Sequence, residues 1–308
     1  MKEKAIISAV IYVNKNDKGL LEFIKKIDRH FSQYFDIYEV IVINDGGSEE
    51  TKRDIRKLGK SLSGNVTIIN LPWTHNIETA MLSGTDIALG DFIYEFDHPY
   101  IDYPLSLLSD LYEKATSGYD IITAIPKNGS QLSSRIFYKF LNIVSYLHFD
   151  FSTETVRIIS RRALNMTLRN KDKIRYRKAL YKYSGFPITS IYYKPQNKIQ
   201  YSDKSLSERI SLATNILVYY SNFGFKITIF LSLLFFLFSI AGGIYSIYTY
   251  LTDQDVVTGW TTLMLFLSLG FSGVFFVLGI IGKYISVILT EIIDRPSYVV
   301  ESVEKIMK

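Results

Sequence analysis

The sequence contains no cysteine and only four histidines among its 308 residues. The absence of cysteine excludes a disulfide framework, a thiolate nucleophile and a cysteine-based metal site. The histidines form no pair at metal-ligand spacing, so a histidine-based zinc site is not expected either. The first residues lack the apolar h-region and the small-residue cleavage site of a signal peptide. Lysine and arginine are scattered rather than gathered into one patch, which argues against a nucleic-acid partner despite a net charge of +5.

Two long apolar stretches near the C-terminus contain no charged residue in their interior. They run over residues 227–250 and 260–281, and each approaches the ~20 apolar residues that cross a bilayer. A buried helix of a soluble protein is the alternative, but two stretches joined by a short polar loop favour a transmembrane hairpin. Lysine and arginine flank the pair and are absent from the loop at 252–255, so both termini are expected in the cytoplasm.

The residues before these stretches alternate between strand and helix patterns. Continuous apolar, β-branched runs predict buried strands at 5–13, 38–43, 66–71 and 92–96. Helical spacing of apolar residues predicts helices at 20–35, 49–62 and 77–88. This alternation predicts a doubly wound, mostly parallel sheet, which binds its ligands at the carboxyl ends of the strands. Functional residues are therefore expected just after Val13, Ile43 and Phe96.

The pattern divides the chain into four parts. Residues 1–204 form an α/β domain. Mixed helical spacing at 205–226 predicts amphipathic helices lying on a membrane surface. The hairpin covers residues 227–285, and residues 286–308 form a cytoplasmic tail. The basic residues between Arg169 and Lys178 are interpreted as a solvated or lipid-facing surface.

Several motifs lie at the predicted strand ends and in the tail. They are Ile43-Asn44-Asp45-Gly46-Gly47-Ser48, Ala88-Leu89-Gly90-Asp91, residues 134–142, residues 156–162, and Gly282-Lys283-Tyr284 followed by Glu291, Arg295-Pro296 and Tyr298. Together they resemble the inverting family 2 glycosyltransferases, specifically the polyprenyl-phosphate branch that includes bactoprenol glucosyltransferases and dolichol-phosphate-mannose synthase. The resemblance implies a GT-A-type sheet carrying a nucleotide-sugar at its carboxyl edge.

The resemblance also implies an activity, a cofactor and partners. A sugar would pass from a nucleotide-sugar to a polyprenyl phosphate such as undecaprenyl phosphate, for cell-envelope glycan synthesis. An acidic pair would hold Mg²⁺ or Mn²⁺ on the donor diphosphate. The protein would be a multi-pass protein of a bacterial-type inner membrane, with its catalytic domain in the cytoplasm. Further copies of the chain and a flippase for the lipid-linked sugar are possible partners.

Candidate roles follow from the matching positions. They are catalysis for Asp97, Glu154 and Arg157; donor binding for Asn14, Asn44, Asp45 and Asp97; binding of the acceptor phosphate for Arg157, Arg161, Lys204 and Arg295; and metal binding for Asp97 and Asp102. For Arg161 and Arg295, the alternative is an ordinary basic side chain that meets lipid headgroups.

Three departures from the family pattern leave two interpretations open. The second carboxylate of the metal motif is replaced by Pro99, which has no side-chain ligand, although Asp102 follows nearby. The catalytic carboxylate falls at Thr155, with Glu154 beside it, and the early nucleotide loop has become Asn14-Lys15-Asn16. The chain is then either a diverged transferase with altered metal dependence or a non-catalytic relative that serves as a membrane partner or scaffold.

Overall fold

A computed structural model describes residues 2–14, 19–127, 154, 156–169, 177–196, 223–252, 259–292 and 298–306. Several sequence predictions fall wholly or partly outside these residues: the motif at 134–142, most of the amphipathic segment at 205–226, the departures at Lys15, Asn16 and Thr155, and the roles of Lys204 and Arg295. Among the described residues, the sheet with its helices forms one compact unit and the two apolar helices form a second.

An eight-stranded sheet forms the centre of the first unit, with strand order β7-β5-β6-β4-β1-β2-β3-β8. The strands are β1 (Glu3–Asn14), β2 (Phe35–Asp45), β3 (Asn65–Leu71), β4 (Phe92–Phe96), β5 (Ile121–Pro126), β6 (Val156–Ser160), β7 (Ile188–Tyr193) and β8 (Ser302–Ile306). Strand β6 runs antiparallel to β4 and β5, and β8 runs antiparallel to β3. The remaining pairs are parallel, which confirms the predicted mostly parallel α/β sheet.

Helices cover both faces of this sheet. They are α1 (Leu20–Tyr34), α2 (Glu49–Gly59), α3 (Ile77–Ile87), α4 (Ser106–Thr116), α5 (Arg161–Arg169) and α6 (Arg177–Tyr183). Apolar residues of α1, α2 and α4 pack in one core, and those of α3, α5 and α6 pack in the other. Because successive strand residues point to opposite faces, each central strand supplies apolar side chains to both cores.

The register of the parallel strands brings their carboxyl ends to one edge. Asn14 of β1 lies opposite Asp45 of β2, and Asp45 lies opposite Leu71 of β3. Phe96, the last residue of β4, lies opposite Ile11 of β1. The residues that follow Val13, Ile43 and Phe96 therefore share this edge, as the sequence predicts.

The last strand changes the expected division of the chain. The sequence places residues 286–308 in a separate tail, but Ser302–Ile306 pairs with β3 and completes the sheet of the N-terminal domain. The Arg56 guanidinium donates two hydrogen bonds to the Glu304 carboxylate, at 2.5 and 2.6 Å. Residues 298–306 of the expected tail thus belong to the α/β domain, whereas residues 286–292 belong to the second unit.

The second unit consists of two long helices, α7 (Phe223–Thr252) and α8 (Trp260–Ile292). Their most apolar windows are 0% and 6% buried, respectively, whereas a core helix of a soluble protein is mostly covered. A Cβ atom on Gly242 would lie 2.3 Å from the Phe266 ring, and one on Gly273 would lie 2.2 Å from the Phe235 ring. Glycine at these two positions therefore lets a phenylalanine of the opposite helix pack against the backbone.

Candidate active site

The carboxyl end of β4 carries two carboxylates on the same face of the sheet. Glu95 and Asp97 are two residues apart, so their side chains point the same way, and they are 0% and 7% exposed. Arg157 of the neighbouring strand β6 lies directly opposite Glu95. Its Nη1 donates to Glu95 Oε2 at 3.1 Å and its Nη2 donates to Asp97 Oδ2 at 2.9 Å.

A second arginine approaches the same carboxylates from helix α6. Arg177 donates from Nη1 to Glu95 Oε2 and from Nη2 to Asp97 Oδ1, both at 2.8 Å. Its Nε and its backbone N–H both donate to Glu78 Oε2 of α3, at 3.0 Å. The Tyr181 hydroxyl, one turn further along α6, donates to Glu95 Oε1.

We name Glu78, Glu95, Asp97, Arg157 and Arg177 the buried ion cluster. Burial alone lowers the pKa of each guanidinium, but the charge of Asp97 and the neighbouring carboxylates outweighs it and raises the pKa of both arginines. Both therefore stay charged, and each needs its carboxylate partners in this low-dielectric setting. The sequence-based interpretation of Arg177 as part of a solvated surface is wrong, because its side chain is 2% exposed.

The cluster does not fit a divalent cation on Asp97. Each oxygen of the Asp97 carboxylate accepts a guanidinium N–H. A divalent ion on Asp97 would have to share both carboxylate oxygens with two guanidinium groups, whose like charge opposes it. Asp102 is 4% exposed, and both its oxygens accept from the Tyr193 hydroxyl, at 3.0 and 3.2 Å. No group of three histidine, aspartate or glutamate side chains in the described part of the chain is arranged to hold a metal.

A second polar network lies at the ends of β2 and β3. The Asp45 carboxylate accepts from the backbone N–H of His75 at 2.8 and 3.0 Å and from the Tyr12 hydroxyl at 3.0 Å. Asp45 itself is 0% exposed. The His75 ring stacks on the Trp73 indole, with centroids 5.3 Å apart, and Trp73 is 57% exposed. Asp45 thus fixes a loop that presents an aromatic face to solvent.

Asn44 explains why glycine stands at position 47 of the Asn44-Asp45-Gly46-Gly47-Ser48 motif. Its Nδ2 donates to Asn70 Oδ1 at 2.8 Å, which leaves its Oδ1 beside Gly47. A Cβ atom on Gly47 would lie within 1.9 Å of that oxygen, so only glycine fits there. Asn70 in turn donates to Ser302 Oγ and Glu304 Oε1 of β8, at 2.9 and 3.0 Å.

The other predicted site residues are dispersed. Asn14 is exposed at the end of β1, in the row of Asp45. Glu154 Oε2 lies 3.8 Å from Arg157 Nε, next to the buried ion cluster. Arg161 lies at the opposite end of β4, where its guanidinium donates to the carbonyl oxygens of Ala88 and Gly90. Arg161 is therefore not brought to Asp97, and its contacts are those of a residue that braces the turn before β4.

The sequence does not predict five of the residues described above: Trp73, His75, Glu78, Glu95 and Arg177. The ion pairs of Arg177 join positions 80 to 99 residues apart, so no local spacing reveals them. Within the described residues, the only local indication is that Arg177 and Tyr181 are four residues apart, which places them on one face of α6.

Comparison with known proteins identifies the family. Residues 8–172 match glycosyl transferase family 2. The chain is 26% identical over 305 residues to the uncharacterized glycosyltransferase YkcC of Bacillus subtilis (strain 168), covering 96% of this chain and 93% of that protein. It is 24% identical over 307 residues to the SfII prophage-derived bactoprenol glucosyl transferase of Shigella flexneri, covering 96% and 97%.

Among solved structures, the glucosyl-3-phosphoglycerate synthase of Mycobacterium tuberculosis in complex with Mn²⁺, UDP and phosphoglyceric acid aligns with a TM-score of 0.49 at 14% identity, over 70% of this chain and 76% of that one. The family match covers more than half of the 308 residues. The chain therefore belongs to glycosyl transferase family 2.

Proposed function

We propose that this protein transfers a sugar from a nucleotide-sugar to a polyprenyl phosphate at the cytoplasmic face of a membrane. The observation that carries the proposal is the extent of the match to the bactoprenol glucosyl transferase of Shigella flexneri, 96% of this chain and 97% of that protein. A match of that extent includes the apolar helices as well as the α/β domain. The relative's name points to a lipid-phosphate acceptor.

The reaction requires little acid–base catalysis from the protein. An oxygen of the lipid phosphate is already anionic, and it forms a bond to the anomeric carbon of the donor sugar. The bond from that carbon to the donor diphosphate breaks, and its electron pair leaves with the nucleoside diphosphate. The protein must hold the two phosphates in line and compensate their charge.

The carboxyl edge of the sheet supplies groups suited to the donor. Trp73 offers a flat exposed face, backed by His75, on which a nucleobase can stack. Asn14 is exposed opposite Asp45 and can donate to the ribose or a phosphate. Asn44 and Asp45 are buried, so we assign them the positioning of this edge rather than its outer surface. Asp97, Glu154 and Arg157 lie together beside the end of β4, and Lys204 and Arg295 remain the proposed ligands of the acceptor phosphate.

Attachment through α7 and α8 would hold the protein on the membrane that contains its lipid acceptor. Each helix has the length and apolar composition to cross a bilayer, and the polyprenyl chain is confined to the same phase. The product, a sugar on a lipid phosphate, would then need a flippase before use on the far side. The flanking positive charges favour a cytoplasmic α/β domain.

The pairing of Asp97 with two arginines also favours a second candidate, a non-catalytic relative that serves as a membrane partner or scaffold. A transfer assay separates the two. Detergent-purified protein is incubated with undecaprenyl phosphate and a panel of UDP-, GDP- and CDP-sugars, and the lipid is analysed by mass spectrometry. A glycosylated lipid phosphate from one donor supports the transferase. No product from any donor, together with no binding of UDP, GDP or CDP, would favour the scaffold.

A further inference from the structure

We propose that Asp97 is not a metal ligand in this chain, and that the Arg157 and Arg177 guanidinium groups hold the place of a divalent cation beside it. Nucleoside diphosphate binding should then require no divalent cation. The part of this inference that concerns the donor rests on the proposed function, whereas the part that concerns the metal does not.

The first argument is the occupancy of the Asp97 carboxylate. Arg157 reaches one oxygen from strand β6 at 2.9 Å, and Arg177 reaches the other from helix α6 at 2.8 Å. Two separate elements of the fold therefore clamp this side chain. Both arginines are buried and cannot turn away to solvent, so the clamp belongs to the folded state and is not a transient surface contact.

The second argument is the way the arginines are shared. Glu95 Oε2 accepts from Nη1 of both arginines, at 3.1 and 2.8 Å. Glu95 and Asp97 together therefore bridge two positive charges, as a pair of carboxylates around a dication would. Glu95 and Asp97 already pair with two positively charged groups, and a metal ion on Asp97 would add a third.

The third argument concerns the residues that would complete a metal site. Position 99 is proline and supplies no side-chain oxygen. Asp102, the nearest later carboxylate in the sequence, is buried and accepts from the Tyr193 hydroxyl through both oxygens. Magnesium and manganese favour several oxygen ligands with room for water, and the described residues around Asp97 offer a salt-bridge network instead.

Direct measurement of cation binding tests the inference. Mn²⁺ is titrated into the detergent-purified full chain, and the free ion is followed by electron paramagnetic resonance. We expect wild type and Asp97→Asn to give the same binding curve. A Mn²⁺ ion bound at one per chain in wild type and lost in Asp97→Asn would overturn the inference.

A second measurement needs no variant and so does not depend on whether Asp97→Asn folds. Binding of UDP, GDP and CDP is measured by calorimetry in EDTA and in Mn²⁺. We expect the nucleotide that binds to show affinities within about twofold in the two conditions. Loss of more than tenfold in EDTA would overturn the inference. No binding of any nucleotide in either condition would count against the proposed function, and the Mn²⁺ titration would still decide the metal question.

Discussion

Arg177 provides the clearest stability prediction of any single residue. It donates to three carboxylates, those of Glu78, Glu95 and Asp97, and all three are buried. Replacing it with glutamine removes the arginine partner of Glu78 and leaves Glu95 and Asp97 paired with Arg157 alone; breaking a buried pair in this way costs about 3–5 kcal/mol in other proteins. We therefore expect Arg177→Gln to lower the unfolding free energy by that amount in chemical denaturation followed by circular dichroism.

Arg53→Gln is the matched control for that variant, since Arg53 is exposed on α2. We expect it to change stability by less than about 0.5 kcal/mol. Equal stability of the two variants would mean that the buried ion cluster is not a structural requirement. Burial of the cluster would then not be what fixes the two arginines beside Asp97.

Trp73 carries a prediction about the donor rather than about stability. Its indole is more than half exposed and stacks on the His75 ring, so Trp73→Ala should leave the unfolding midpoint nearly unchanged. Stacking of a base on an aromatic side chain contributes about 1–3 kcal/mol. We expect nucleotide affinity, measured by calorimetry, to fall by about 5- to 150-fold, with Trp73→Phe close to wild type. An unchanged affinity in Trp73→Ala would exclude this face from the nucleotide site.

At the scale of elements, β8 joins the end of the chain to the donor edge. Glu304 of this strand accepts from Arg56 and from Asn70, and Asn70 accepts from Asn44 beside Gly47. The pKa of Glu304 lies below its ordinary value of 4.5, mainly because the Arg56 guanidinium donates hydrogen bonds to the carboxylate. A carboxylate with a lowered folded pKa stabilises the protein above its unfolded pKa, and this contribution is lost as the pH falls through the folded value.

Glu304→Gln should therefore be less stable than wild type at neutral pH, by roughly 2–4 °C in the unfolding midpoint. The difference should shrink as the pH falls below about 4.5 and the wild-type carboxylate protonates. Glu301→Gln is the control, because Glu301 is 51% exposed and its ion pair with Lys52 is 3.5 Å long. A midpoint difference that stays constant with pH would show that Glu304 does not act through its charge.

The two helices of the second unit can be tested through their glycines. A Cβ atom on Gly242 or Gly273 meets a phenylalanine ring, whereas one on Gly243 or Gly279 meets nothing within 4 Å. We expect Gly242→Ala and Gly273→Ala to destabilise the helix pair by about 1–3 kcal/mol. Gly243→Ala and Gly279→Ala should be neutral or slightly stabilising.

The measurement is an SDS titration followed by the fluorescence of Trp260 in a Trp73→Phe background, since the chain has only these two tryptophans. All four variants behaving alike would contradict the packing of Phe235 and Phe266 against the opposite helix.

Local patterns predict the first four strands and the first three helices well, but they predict neither β5–β7 and α4–α6 nor the long-range partners of these elements. The predicted strand at 92–96 coincides with β4 (Phe92–Phe96), and the helix predicted at 77–88 is α3 (Ile77–Ile87), because hydrophobic periodicity is a property of neighbouring residues. Strand β8 was missed since its place is set by pairing with β3, far away in sequence. The same limit applies to Arg177, whose partners lie on α3 and β4.

At the scale of the whole molecule, β8 constrains how the chain can lie in a membrane. The strand follows α8, yet it pairs with β3 in the sheet built from residues that precede α7. A sheet cannot be hydrogen-bonded across a bilayer. We therefore predict that the chain before α7 and the chain after α8 lie on the same side of the membrane, with an even number of crossings between them. Two apolar helices, α7 and α8, meet that requirement.

The absence of cysteine makes this topology directly testable, because a single introduced cysteine labels without background. Lys25, Thr252 and Lys305 are exposed positions on α1, at the end of α7 and on β8. In intact cells a membrane-impermeant maleimide should label Thr252→Cys, and it should reach Lys25→Cys and Lys305→Cys only after lysis. Labelling of Lys25→Cys and Lys305→Cys but not Thr252→Cys would reverse the orientation and keep the hairpin. Different labelling of Lys25→Cys and Lys305→Cys would place them on opposite sides of the membrane, which would contradict the pairing of β3 with β8.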